Sequence, residues 1–126
     1  MVKLCDYKKI MDRKPIHIAT VNKENNPNLS VASDVLVIDD ETIIISVNEM
    51  TNTQENVLYN PNIVITAFDE ELKGIRIFGE ASFDTAGKYY DMCNKEFFGN
   101  GEITPFGATK PKGVLIVKVK KIHEYV

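Results

Sequence analysis

Residues 17–47 read HIATVNKENNPNLSVASDVLVIDDETIIISV, and this stretch decides the fold. Ile16 to Val21 is rich in β-branched residues, and the polar run from Asn22 to Asn28 that follows carries the residue types that reverse a chain. The chain returns as a second strand from Asn28 to Ile38, turns at Asp39-Asp40-Glu41, and runs out again as a third strand from Thr42 to Asn48. Three consecutive strands with short links predict an antiparallel meander.

Upstream, Leu4, Tyr7, Ile10 and Met11 recur at steps of three and four, so Lys3 to Met11 is expected to be a short amphipathic helix that stops before Pro15. Downstream, Thr51 and Gln54 have the T-x-x-Q spacing of a capping box, and a helix of two or three turns should start there and end before Pro61. Asn62 to Phe68 then reads as a fourth strand, and Leu72 to Phe83 as a long fifth, with Gly74 and Gly79 marking bends or a bulge. Ala86 to Phe98 is helical and is closed by Gly99-Asn100-Gly101. An irregular loop through Pro105 and Pro111 leads to the last strand, Gly113 to Tyr125. This order does not alternate as βαβ units do, so the expected class is mainly β: a closed or partly closed antiparallel barrel of six strands with short flanking helices.

The chain has 126 residues, 44% hydrophobic and 26% charged, with seven glycines and five prolines. That suits a single domain spanning 1–126 and argues against disorder or a fibrous repeat. A formal charge of −3 repels a polyanion unless the cations gather on one face. The one basic cluster, Lys110, Lys112, Lys118, Lys120 and Lys121, reads as a solvated edge strand, so no nucleic acid partner is expected. Cys5 and Cys93 lack any metal-ligand or C-x-x-C spacing, and the opening MVKLCDYKKIMDRK has no apolar run long enough for a signal or a membrane span. Reduced thiols, a cytoplasmic setting and no membrane contact are the expectation.

Two segments hold candidate ligand contacts. The junction from Ser46 to Gln54 joins the end of a strand to the start of a capped helix, where unpaired N–H groups and a partial positive charge favour a phosphate. Thr51, Asn52 and Thr53 are the candidate phosphate ligands there, although the same residues also serve to cap a helix. In Ser30-Val31-Ala32-Ser33-Asp34, small side chains let a flat ring approach the backbone, or simply pack tightly. His17 and His123 stand alone in predicted strands, and neither a nucleophile motif nor a glycine-rich nucleotide cradle is present.

Taken with MTNTQENVLYNPNIVITAF (residues 50–68) and GIRIFGEASF (residues 74–83), the opening stretch resembles the pyridoxamine 5'-phosphate oxidase-like family of FMN-binding proteins, its minimal members above all. Ala19-Thr20, Pro27, Asp39-Asp40, Thr53, Asn56-Val57, Asn60-Pro61 and Ile63 carry the resemblance, in order, over about residues 8–122. It implies a six-stranded antiparallel Greek-key split β-barrel that binds FMN in a cleft between the subunits of a homodimer. Carried over, the ring-side contacts are Val31, Ala32, Ser33 and Asp34. The ribityl phosphate side is Ser46, Val47, Asn48, Met50, Thr51, Asn52, Thr53 and Gln54.

Two positions depart from the family pattern. Asn52 stands where a Lys or Arg is usual, so the expectation is either weaker FMN binding or that Arg76 or Lys73 reaches in to compensate. Asn26 replaces the glycine before Pro27, and asparagine tolerates the positive φ such a turn needs.

The resemblance implies a flavin-dependent oxidoreductase of small molecules. A flavin-carrying electron-transfer module with a redox-protein partner, and a dimeric barrel without cofactor, remain alternatives. Pyridoxamine phosphate oxidation itself is not expected, because the chain ends at Val126 soon after its last strand. A homodimer is further expected because Val114-Leu115-Ile116-Val117 has apolar side chains on both faces of its strand.

Overall fold

The computed structural model describes residues 2–48, 51–99 and 109–125, and for Thr51 the backbone alone. Seven strands form one antiparallel sheet: β1 Ile16–Val21, β2 Pro27–Ala32, β3 Val35–Asp39, β4 Thr42–Val47, β5 Asn62–Phe68, β6 Gly74–Asp84 and β7 Gly113–Tyr125. Their spatial order is β2-β1-β5-β6-β7-β4-β3. Strands β5, β6 and β7 lie side by side with β4 returning beside β7, the Greek-key order of a split barrel. The helices are α1 Lys8–Met11, α2 Thr51–Tyr59 and α3 Lys88–Phe98, with a 3-10 turn at Leu4–Tyr7 before α1. Among the described residues no helix is long and apolar enough to cross a membrane.

One expected strand is two. The stretch from Asn28 to Ile38 breaks at Ser33-Asp34, because β2 and β3 lie at opposite edges of the sheet and a continuous strand cannot occupy both. Among the described residues the strand count therefore rises from six to seven. The expected N-terminal helix also divides into a 3-10 turn and a single α turn, yet the anticipated face packs inward: Leu4 and Met11 are buried, with Tyr7 and Ile10 partly so. This segment covers the β3 edge, where the Val37 N–H donates to Asp12 Oδ1 at 2.7 Å and the Arg13 N–H to the Val35 carbonyl at 2.9 Å. The bulge expected at Gly79 is present as a register shift between Phe78 and Gly79. In the first turn the positive φ falls on Asn25 (63°), while Asn22 Oδ1 accepts from the Glu24 and Asn26 N–H groups.

The inner face is a β-branched core in which Ile16, Ile18, Ile43, Ile45, Ile65, Ile75 and Ile77 are fully buried. A second cluster forms where α3 lays Cys93, Phe97 and Phe98 on Ile44 and Val114. The Val114–Val117 run is thereby covered within one chain: Leu115 and Val117 enter the main core, and Val114 and Ile116 meet the α3 cluster. The face left open lies elsewhere, on the outer side of β2, β1, β5 and β6, where Leu29, Val31 and Phe68 are 66%, 58% and 45% exposed. Strand β7 is also internal rather than an edge. Its lysines lie on exposed positions, with Lys118 Nζ 3.5 Å from Thr42 Oγ1 and Lys120 Nζ 4.0 Å from Glu80.

Burial, and then the nearby charge of Asp34, push the Cys93 thiol from its ordinary 9.0 up to about 12. The folded state therefore favours the neutral thiol. The stability this contributes is complete below pH 9 and is lost as pH rises from 9 toward about 12. Urea midpoints measured from pH 8 upward should fall more steeply for wild type than for Cys93→Ala. Parallel declines would show that this thiol does not set the alkaline limb.

Candidate functional site

The break between β2 and β3 brings the two candidate segments together at the split of the barrel. The Asp34 carbonyl accepts the Ser46 N–H at 2.9 Å. Its carboxylate accepts from Asn48 Nδ2 at 2.9 Å, and the Ser46 hydroxyl donates to Asn48 Oδ1 at 2.8 Å. Asp34, Ser46 and Asn48 thus form one hydrogen-bonded group at the end of β4, where the chain leaves for α2.

Helix α2 begins at Thr51, where a helix was expected, and packs on β1, β2 and β6. The Gln54 half of the expected capping box is not formed, because Gln54 Oε1 has no partner among the described residues. Thr53 is fully buried, and its hydroxyl lies 2.6 Å from the Ser30 hydroxyl on β2. One turn on, Asn56 Nδ2 donates to Thr20 Oγ1 at 3.0 Å, a buried pair that fixes the helix to β1. The two segments expected to hold the ring and the phosphate, β2 and the start of α2, are therefore joined directly. A polar cavity of about 410 Å³ lies between α2 and the β1–β2 turn, lined by Asn52, Glu55, Asn56 and Tyr59 with Lys23 and Asn28 across from them.

The other candidates divide by exposure. Val31, Ser33 and Asn52 are exposed, Asp34, Asn48 and Gln54 are half-buried, and Ala32, Ser46 and Val47 are buried. The Val47 side chain belongs to the core, and its carbonyl is taken by the Lys112 N–H at 2.8 Å. Met50 lies outside the described residues. Ser30, read in the small-residue segment but not carried over as a contact, and Thr20 and Asn56, read only as carrying the resemblance, hold these elements together.

Neither cation expected to offset Asn52 is near it within one subunit. Lys73 sits in the β5–β6 turn, at the far end of β5 from α2, 3.4 Å from Glu71. Arg76 pairs with Thr66 and projects from the outer face beside Phe78 and Tyr125, 5.3 and 5.7 Å from their ring centres. The sheet separates it from the α2 side, where Ile75 and Ile77 point.

A flavin phosphate fits the donor set at the start of α2. The first-turn N–H groups of a helix have no intrahelical partners, whereas Gln54 Oε1, buried and unpartnered among the described residues, is an acceptor and adds nothing to that donor set. The backbone of β2, an edge strand, and the Ser33-Asp34 link outside the ladder leave N–H and C=O groups for the polar edge of a ring. Among the described residues no three His, Cys, Asp or Glu side chains gather as a metal site.

The sequence model of pyridoxamine 5'-phosphate oxidase matches residues 8–125. This chain belongs to that family. The crystal structure of Group A Streptococcus HupZ is 29% identical, with 98% of this chain and 94% of that one covered at a TM-score of 0.83. An FMN-binding protein from Syntrophomonas wolfei is 23% identical over 98% of this chain and 82% of its own, at a TM-score of 0.75, a likeness that shows the shared fold. An uncharacterized protein of Methanocaldococcus jannaschii is 26% identical over 117 residues, 91% of this chain and 75% of that protein.

Proposed function

We propose that this family member is an FMN-binding flavoprotein and, as a homodimer, an oxidoreductase of small molecules. The observation that carries the reading is the Ser30–Thr53 hydroxyl contact of 2.6 Å, which joins the ring-side strand to the phosphate-side helix at the barrel split. The FMN-binding protein of Syntrophomonas wolfei, which has this fold, supports it.

Bound flavin supplies the redox chemistry. The chain supplies place and polarity. The start of α2 and the amides of Asn52 and Gln54 hold the phosphate, and Val31 to Asp34 lie along the ring. Asp34, held by Asn48, offers a carboxylate to a ring N–H. The buried Thr53 and Ser46 keep the two segments in register without touching solvent.

A second copy completes the cleft in this proposal by covering the open face that carries Leu29, Val31 and Phe68. Leu29, Val31 and Phe68 share this sheet face, whereas Leu58, Tyr59, Leu72 and Met92 are exposed elsewhere; apolar side chains sharing one face mark an interface more often than single ones do.

A visible absorption spectrum and an FMN titration of wild type and Asn52→Lys test the reading. Flavin bands in the purified protein, with tighter binding by the lysine variant, are expected. Asn52 favours one rival, a barrel without cofactor, and absence of uptake by both proteins would establish that rival. Fast one-electron exchange with slow turnover of every small donor would instead identify a flavin carrier.

A further inference from the structure

Four strands of the open sheet face each place one side chain in a single row. His17 on β1 stands opposite Thr66 on β5, Thr66 opposite Arg76 on β6, and Arg76 opposite His123 on β7. Ile18, Ile65, Ile77 and Ile122, each next in sequence to one of the four, pack in or against the core, so alternation turns the row outward. The row holds both histidines of the chain.

At its centre, Thr66 Oγ1 and Arg76 Nε are buried and have no hydrogen-bond partner among the described residues. They belong to directly opposed residues, and a hydroxyl and a guanidinium N–H can both donate to one anion. Leaving such groups buried and unpaired is costly, so the pair calls for an acceptor. Arg76 makes no ion pair among the described residues. Its guanidinium lies over the Phe78 and Tyr125 rings, at 5.3 and 5.7 Å, which positions the charge without neutralising it. The nearby carboxylates are already engaged. Glu124 accepts from the Tyr7 hydroxyl, Asp69 accepts from the Glu71 and Lys73 N–H groups, and Glu80, further along β6, is met by Lys120 Nζ at 4.0 Å.

An aromatic wall stands beside the row: Phe68 stacks on Tyr125 with ring centres 5.0 Å apart, and His123 meets Tyr125 edge-on at 5.9 Å. At the other end, Val31 of the ring-side segment lies directly opposite His17. With neighbouring strands about 4.8 Å apart, Arg76 is roughly 14 Å from Val31, a gap that one small ring compound beside a flavin can span.

We propose that Thr66 and Arg76, flanked by His17 and His123, form an anion subsite that takes the carboxylate of a small aromatic acid. The planar guanidinium and the hydroxyl bind the carboxylate, the imidazoles donate from either side, and the aromatic side chains cover the ring. The inference rests on the flavin reading in one respect: there the acid is the substrate class, held between the open face and the second copy.

The test is calorimetric titration of benzoate, and of its uncharged counterpart benzamide, into FMN-loaded and flavin-free protein, with the flavin absorption bands followed in the loaded sample. Benzoate should bind about ten-fold more tightly than benzamide and should shift the flavin bands. Arg76→Gln should weaken benzoate binding about ten- to a hundred-fold, the range of a lost charge-assisted hydrogen bond, and leave FMN affinity unchanged. Thr66→Val, nearly the same shape without the hydroxyl, should weaken it about five-fold and should not lower the melting temperature.

Absence of benzoate binding, equal affinity for benzamide, or benzoate binding that survives Arg76→Gln would overturn the subsite. A loss of FMN affinity in Arg76→Gln would overturn it too, by assigning the guanidinium to the flavin. Benzoate bound through Arg76 without a shift of the flavin bands would overturn the substrate assignment. Benzoate bound through Arg76 by a protein that takes up no flavin would uphold the subsite and overturn the flavin reading.

Discussion

Ile65→Ala is expected to lower stability by about 4 kcal/mol, in the upper part of the range for truncating a buried isoleucine. Ile65 is fully buried at the middle of β5, directly across from Ile18 on β1 and Ile77 on β6, which are also fully buried. Both flanking strands are held by ladders, so the sheet cannot close over the space left behind. The removed methyl and methylene groups then cost their transfer free energy and a cavity besides. Urea denaturation of both proteins, compared at equal slope, measures the difference. A loss under about 1 kcal/mol would mean that the core relaxes around β5 and that the barrel is less tightly closed than its packing implies.

Leu29→Glu is expected to weaken the proposed homodimer about a hundred-fold or more. Leu29 is 66% exposed on β2, opposite Ala19 on β1, within the open sheet face. A two-fold dimer repeats each substitution in both copies. Two uncompensated carboxylates at about 1.4 kcal/mol each already give a factor of a hundred. Sedimentation equilibrium reads the association directly. Leu72→Glu is the control, because Leu72 is 78% exposed but lies in the β5–β6 turn and not on that face. A dimer unchanged by Leu29→Glu would place the interface elsewhere, and a monomeric wild type would remove it.

Much of the architecture was legible before any coordinates. β1, β5 and β7 fall at their expected residues, and α2 begins at Thr51, where a helix was expected. The single strand read from Asn28 to Ile38 failed for a non-local reason. Nothing within that stretch records that its two halves pair with different partners, β1 and β4. The dimer argument built on Val114–Val117 failed likewise, because α3 covers one side of that run from a helix far earlier in the chain.

For the candidate site, small residues near Val31 and polar ones near Thr51 were visible as types. Their connection through Ser30 and Thr53, and through Asp34, Asn48 and Ser46, was not. The sequence by itself determined the periodic elements, the turns and the start of α2, because side-chain alternation and helix-start preferences act within a few residues. Only the tertiary structure decided where the barrel splits, which apolar face stays open and that Lys73 and Arg76 both lie away from the start of α2. Those outcomes depend on contacts between segments distant in sequence, such as Val47 with Lys112, and on the two faces of one sheet keeping Arg76 and α2 apart.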